Sequence, residues 1–192
     1  MYIIVISVRL PESEINNMQI DNISCVVMNH LSPDRYRELF GVVPSAVAVV
    51  ATKTDELGPH GTTVSAFGPL SLQPPLVQVC LDLESNLLTR IGETGCFLLN
   101  VLAVGQEGLA RRFAQSGHDD FSELEWAERH GMPQLTGCHG WVAANLEQTV
   151  EAGDHAIVIG LAFDSDVSPG VPLLYHDRTF HSLAPMERDS LR

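Results

Sequence analysis

Residues 75–83 read PLVQVCLDL. Val77, Val79, Leu81 and Leu83 fall on one side of an extended chain, and Leu76, Gln78, Cys80 and Asp82 on the other. A period of two belongs to a strand with one face in a core, and no helical spacing reproduces it. Pro74-Pro75 breaks the preceding apolar run and marks where this strand begins. Segments of similar character recur along the chain. SAVAVVATK reads as a strand, DELGPHG as a turn and TTVSAFGPLSL as the returning strand. CFLLNVL, GWVAANLEQTVEA, HAIVIGLAFDSDV and PLLYHDRTFHSL read as further strands. Strands at this spacing, joined by hairpin turns, predict a mainly β, antiparallel barrel of about six or seven strands.

Short helices interrupt the strands. LSPDRYRELFG carries Ser32 as a cap, Pro33 at the first helical position, Asp34 at the positive end and Gly41 as a stop. ESNLLTRIGETG reads as a helix capped by Ser85, with Leu87, Leu88 and Ile91 turned inward. Gln106 to Gln115 reads as a third, with Leu109 and Phe113 on one side and Gly117 as the stop. HDDFSELEWAERHGMPQLTG reads as a polar loop with a short helix. Apart from YIIVISV, residues 1–30 follow no period, so the predicted organisation is an extension over 1–30, one domain over 31–185 and a tail over 186–192.

Composition narrows the function classes. The chain has 192 residues, 45% of them hydrophobic, which suits one globular domain with a proper core. Its apolar runs are far short of a membrane span, and the opening MYIIVISVRLPESE has no basic start or small-residue cleavage pattern. The formal net charge is −13, with Lys53 the sole lysine, so nucleic acid and anionic membranes are not expected partners. An anionic cofactor stays open, because backbone amides and a few arginines hold a phosphate locally. The four cysteines form no CxxC pair, which fits a reducing cytoplasm without a disulfide frame.

Several chemistries lack their motifs. There is no GxGxxG, no GxxxxGK[ST] and no GxSxG. His130, Cys138 and His139, and likewise His176 and His181, have no regular metal-site spacing, so no metal is expected. The unusual feature is TTVSAF, where hydroxyl residues replace the branched residues of a core strand. On a strand Thr63, Ser65 and Phe67 share a face, and short side chains there let a flat ligand approach the backbone. The alternative is an edge strand whose hydroxyls face water. Ser85-Asn86 opens the next helix, a suitable end for an anion. Arg111 and Arg112 either close on a phosphate or form a solvated helix face. His155, in GDH at a strand start, either meets a ligand or satisfies its turn.

Taken together, VPSAVAVVAT, HGTTVSAF, SLQPPLVQVCLDLES, CFLLNVL with GLARRFA, Trp126, GDHAIVIG and PLLYHDRTFHSL resemble the short-chain flavin reductases. The match runs from about Arg35 to Leu183. These are the NAD(P)H-dependent reductase components of two-component monooxygenases, built on the FMN-binding split β-barrel, a Greek-key-like antiparallel fold. The resemblance implies a homodimer with flavin near the subunit interface, and a transient oxygenase partner. It implies that Thr63, Val64, Ser65 and Ala66 line the isoalloxazine ring. Leu81, Asp82, Ser85 and Asn86 would approach the ring edge and ribityl phosphate. Arg112 and Phe113 would lie near the phosphate or adenylate, and His155 near the nicotinamide. Tyr175 and Arg178 would close the site. Thr62 stands where Phe is common, Gln73 where Asp is frequent and Thr179 where a second arginine is frequent; Gly68-Pro69 suggests a local break beside the flavin.

The implied cofactors are FMN or FAD, with NADH favoured over NADPH because few basic residues are present to hold an extra phosphate. Such chemistry needs position and electrostatics from the protein rather than a triad or metal cage. Amides around Thr63 to Ala66 are the candidate donors to the N1–C2=O edge, where charge grows on reduction. His155 is the catalytic-site candidate, orienting the carboxamide. Two other classes fit the same strands: a flavin-binding electron-transfer or sensor module without turnover, and a barrel for another small apolar ligand.

Overall fold

A computed structural model of the chain describes residues 30–115 and 121–184. The YIIVISV segment, the remainder of 1–29, Gly117 and the 186–192 tail lie outside the described residues. The chain divides into two compact units, Met1–Tyr36 and Arg37–Arg192. Helix α1, Pro33–Gly41, runs across that boundary with no buried residue. The rest belongs to the second unit.

Its main body is a seven-stranded sheet in which every neighbouring pair is antiparallel. The strands are β2 (Ala48–Thr54), β3 (Gly58–Val64), β4 (Phe67–Leu72), β5 (Pro75–Asp82), β6 (Cys96–Val101), β9 (Gly140–Ala152) and β10 (His155–Val167), ordered β3-β2-β6-β9-β10-β5-β4. Val64 of β3 and Val79 and Leu81 of β5 share one core cluster with Val50, Phe97, Leu99 and Val158. The two sides of the sheet therefore curl toward each other. The Cys80 N–H donates to Ala66 O at 2.9 Å, extending the β4–β5 pairing by one residue. β1 (Ser45–Ala46), β11 (Leu174–His176) and β12 (Thr179–His181) form a small second sheet.

β5 realises its period of two: Val77, Val79 and Leu81 are buried, while Asp82 is exposed. β2 is buried on both faces. Ala48 and Val50 point into the barrel, and Val47, Val49 and Ala51 join Leu102, Ala110, Phe113 and Phe121 outside it. That outer cluster seats α3 (Glu107–Phe113), while Leu87 and Ile91 of α2 (Asn86–Thr94) close the barrel interior. The α2 stop is Gly95 in the left-handed region, φ 68°. Gly160 makes the close approach inside the barrel: a Cβ there would sit 2.6 Å from the Phe97 ring. A register shift beside it, between Ile159 and Gly160, bends β10.

Three segments differ from the sequence expectation. The returning strand over TTVSAFGPLSL is two strands, β3 and β4, with Ser65-Ala66 outside either ladder. The break falls where the chain leaves its pairing with β2 and enters its pairing with β5, the Ala66 carbonyl accepting from the Cys80 N–H in line with the β4–β5 register. The polar loop expected to hold a short helix instead holds a hairpin, β7 (Trp126–Arg129) and β8 (Met132–Leu135). Met132 and Leu135 are buried, and the turn places His130 at φ 52° and Gly131 at φ 78°. PLLYHDRTFHSL is likewise a hairpin, with Asp177 and Arg178 both at positive φ between β11 and β12.

Candidate functional site

The seam between β3 and β5 opens into a concavity of about 260 Å³. Its wall is the run Thr62–Ala66, its opposite side Cys80–Asp82, and its rim Ser85 and His155. Register explains the meeting: β10 pairs with β5 so that His155 lies opposite Asp82. Two further hollows share this wall. One of about 200 Å³ runs from Thr62 and Ser85 to Asn86, Phe113 and Gln115. The other, about 460 Å³, runs from Thr63 and Ser65 to Arg111, Tyr175 and Phe180.

The threonines of the wall have a structural duty. Thr63 Oγ1 donates to Ala110 O at 2.9 Å and Thr62 Oγ1 to Phe113 O at 3.3 Å. Both bonds take carbonyls at the end of α3, which has no further helical turn to satisfy them. The threonine hydroxyls thus fasten α3 against the wall. Ser65 and Ala66 remain exposed, between the ends of two ladders. Val64 points the other way, into the core at 6% exposure.

The sequence-predicted residues fall into three groups. Thr63, Val64, Ser65, Ala66, Leu81, Asp82, Ser85 and His155 line the 260 Å³ concavity together. Asn86 and Phe113 line the 200 Å³ hollow, although the Phe113 side chain itself is buried in the core, and Tyr175 lines the 460 Å³ hollow. Arg112 and Arg178 line none of the three. The Arg112 guanidinium donates to Ser122 O at 2.9 Å. Arg178 sits at the tip of the β11–β12 hairpin. Ser85 occupies the N-cap position of α2 without a side-chain capping bond.

Arg111 and Phe180 line the 460 Å³ hollow and were not singled out as ligand contacts by the family match. Arg111 lies over the Phe180 ring at 5.0 Å, and Phe180 meets Tyr175 edge to face at 5.2 Å. The residues alone offered both arginines of α3; adjacent helical positions point about 100° apart, so which of them reaches a hollow depends on how α3 is seated. Charge is uneven along the groove: Arg111 is its permanent cation, and Asp82 and Glu84 are its anions.

At the rim, His155 Nδ1 lies 2.7 Å from Asp154 Oδ1. The hydrogen bond from His155 holds the Asp154 carboxyl below its ordinary value. Elsewhere burial pushes the Cys96 and Cys138 thiols up, which suits inert packing roles. Among the described residues no group of His, Cys, Asp and Glu is placed to hold a metal ion.

A flavin fits this arrangement on the chain's own features. The wall is made of short side chains, the ladder is interrupted where backbone amides would be needed, and three hollows share lining residues along it. Comparison with known proteins points the same way. The flavin reductase like domain model matches residues 40–184. An NADH-dependent flavin reductase from a Rhodococcus species is 32% identical over 161 residues, covering 83% of this chain and 91% of the relative. The reductase subunit HsaB of a flavin-dependent monooxygenase from Rhodococcus jostii is 31% identical over 162 residues, 83% of each chain. The Streptomyces globisporus C-1027 NADH:FAD oxidoreductase SgcE6, solved with NAD and FAD fragments, superposes with a TM-score of 0.75 at 28% identity, covering 85% of this chain and 99% of that one. The domain match over residues 40–184 and the similarity over 83% of the chain together show that this chain belongs to the flavin reductase family.

Proposed function

We infer that this chain is an NADH-dependent flavin reductase that supplies reduced flavin to a partner monooxygenase. The observation that carries this reading is the concavity along Thr62–Ala66, with His155 on its rim, in a chain of this family. Bound flavin accepts a hydride from a dihydronicotinamide, so the protein has only to bind, orient and exclude water. Val64 and Leu81 back the wall with core packing, which keeps it rigid. The amides of Ser65 and Ala66, outside the ladders, donate to the edge of the ring where negative charge grows. Ser85 and Asn86 start α2, whose N-terminal amides favour the phosphate. Leu81 and Asp82 meet the ring edge. Arg112 and Phe113 support the phosphate side by fixing the end of α3, and Tyr175 and Arg178 belong to the hairpin that closes the groove.

His155 orients the nicotinamide carboxamide. NADH is preferred over NADPH, because Arg111 is the groove's permanent cation and an added 2′-phosphate would meet Asp82 or Glu84. FMN and FAD are both admitted by the hollows along this wall. The working form is a homodimer, supported by the exposed Leu70 and Leu72 on strand β4 and by Phe163 and Val167 on β10. The described cysteines are free, which fits a cytoplasmic enzyme.

The test is a steady-state assay crossing FMN, FAD and riboflavin with NADH and NADPH. NADH with FMN or FAD is expected to give turnover, with NADPH at least tenfold less efficient. His155→Ala is expected to raise KM for NADH more than it weakens flavin binding. Unchanged parameters in that variant would remove His155 from the site.

A further inference from the structure

Asp154 belongs to no lining of the groove, yet it is bonded to the one histidine at the seam's rim. An ionised carboxylate can only accept hydrogen bonds, so the His155 nitrogen that faces it must carry the proton. That nitrogen is Nδ1. In the neutral ring Nε2 is then bare and can only accept. The neighbouring carboxylates do not compete for Nδ1. Asp82, directly across the β5–β10 ladder from His155, has an oxygen that accepts from the Glu84 N–H at 2.8 Å. Glu84 lines the adjacent hollow, and Glu151 of β9 pairs with Ala156, not with His155. The two-residue turn Gly153-Asp154 between β9 and β10 holds the carboxylate in place: Gly153 takes φ 68°, and Asp154 O accepts from the Leu83 N–H at 3.1 Å.

We propose that Asp154 is a positioning residue: it locks His155 in the Nδ1–H tautomer, leaving Nε2 as an acceptor for the amide N–H₂ of the nicotinamide carboxamide. The proposal rests on the flavin-reductase reading and deepens it, because it names the atom of the substrate that the rim recognises. Its consequence is a preference a merely steric histidine would not have. A dinucleotide whose carboxamide is replaced by an acetyl group keeps the carbonyl and loses the N–H donor. The wild-type protein therefore disfavours reduced 3-acetylpyridine adenine dinucleotide relative to NADH by about three- to tenfold in kcat/KM, the worth of one hydrogen bond.

Two measurements test this. The first needs neither flavin nor turnover: imidazole ¹⁵N spectra of the intact protein at a pH where His155 is neutral, assigned by difference against His155→Ala. Protonated Nδ1 with bare Nε2 in the wild type, and loss of that state in Asp154→Ala, is the expected result. A protonated Nε2 in the wild type overturns the proposal. The second is the NADH to acetylpyridine-analogue ratio in wild type, Asp154→Ala, His155→Ala and the double variant. The ratio is expected to fall toward one in each variant, with Asp154→Ala adding nothing once His155 is gone. An equal effect of Asp154→Ala with and without His155 overturns it. Asp154 is 93% exposed at its side chain, so its removal leaves the fold intact. Failure of the wild-type protein to reduce flavin at all would sink the functional reading instead, and the ¹⁵N result would still decide the tautomer.

Discussion

Ser65 concentrates the demands made on single residues in this protein. It is exposed, it stands between two ladders, and it borders both the 260 Å³ and the 460 Å³ hollows. Ser65→Phe should fill that space and weaken flavin binding by about tenfold or more, read by titrating the flavin's visible absorption. Its Tm should stay close to wild type, because no core contact is lost. The acidic pairs predict a pH effect of definite sign. Hydrogen bonds from His155 and His130 hold Asp154 and Asp164 below the ordinary carboxyl value of 3.8. A lowered folded pKa stabilises the protein above the unfolded value and loses that contribution as pH falls through the folded one. Acid unfolding followed by circular dichroism should therefore show wild type and Asp164→Ala converging below about pH 4, with wild type the more stable above it. Fully exposed pairs of this kind are screened, so the separation is expected to shrink in high salt. Of these residues, the sequence named Ser65 and His155 and offered Arg111 and Arg112 together, the family resemblance carrying only Arg112; Arg111 is the one that lines a hollow. Alternating side chains are legible on a strand; which of two adjacent helical arginines faces a hollow depends on how α3 is rolled by Thr62 and Thr63.

At the scale of elements, two buried devices hold the barrel in register. Gly160 lets the Phe97 ring lie against β10, with Ala144 equally close. Gly160→Ala forces overpacking against an aromatic ring and backbone-fixed neighbours, and should cost about 1–3 kcal/mol, seen as a Tm lower by several degrees. Asn100, fully buried on β6, donates to Val49 O and Pro133 O at 3.3 Å and accepts from the Leu135 N–H at 2.9 Å. It ties β2 and the β7–β8 hairpin to the same strand. Asn100→Ala leaves those groups buried without partners and should cost about 2–3 kcal/mol, with hydrogen-exchange protection lost first in residues 126–135. β5, β6, α2 and the β9–β10 hairpin were legible because each carries its own period and its own turn. The β7–β8 hairpin was not, since its turn is His130-Gly131 rather than a familiar Asn-Gly, and its strands have only four residues each. The break at Ser65-Ala66 was also hidden. The chain there passes from pairing with β2 to pairing with β5, a change of partner that Ser65 and Ala66 do not themselves signal.

The second unit, Arg37–Arg192, is built on a curled antiparallel sheet whose seam is left open on one side, and the hollows lie along that opening. This explains why an acidic chain of net charge −13 can still bind an anionic cofactor. In the proposed reading, recognition would rest on local amides, a helix start and one arginine rather than on the overall field. The same account predicts that removing the groove's cation, by Arg111→Ala, raises KM for NADH several-fold without changing Tm. The claim on which all of this depends is that the seam seats a flavin that takes electrons from NADH. The direct measurement is anaerobic mixing of the protein and FMN with NADH, followed by the flavin's visible absorption. Bleaching that is catalytic in protein and slowed by Ser65→Phe is the predicted result. Bleaching no faster than in buffer alone, with FMN or with FAD, would contradict it.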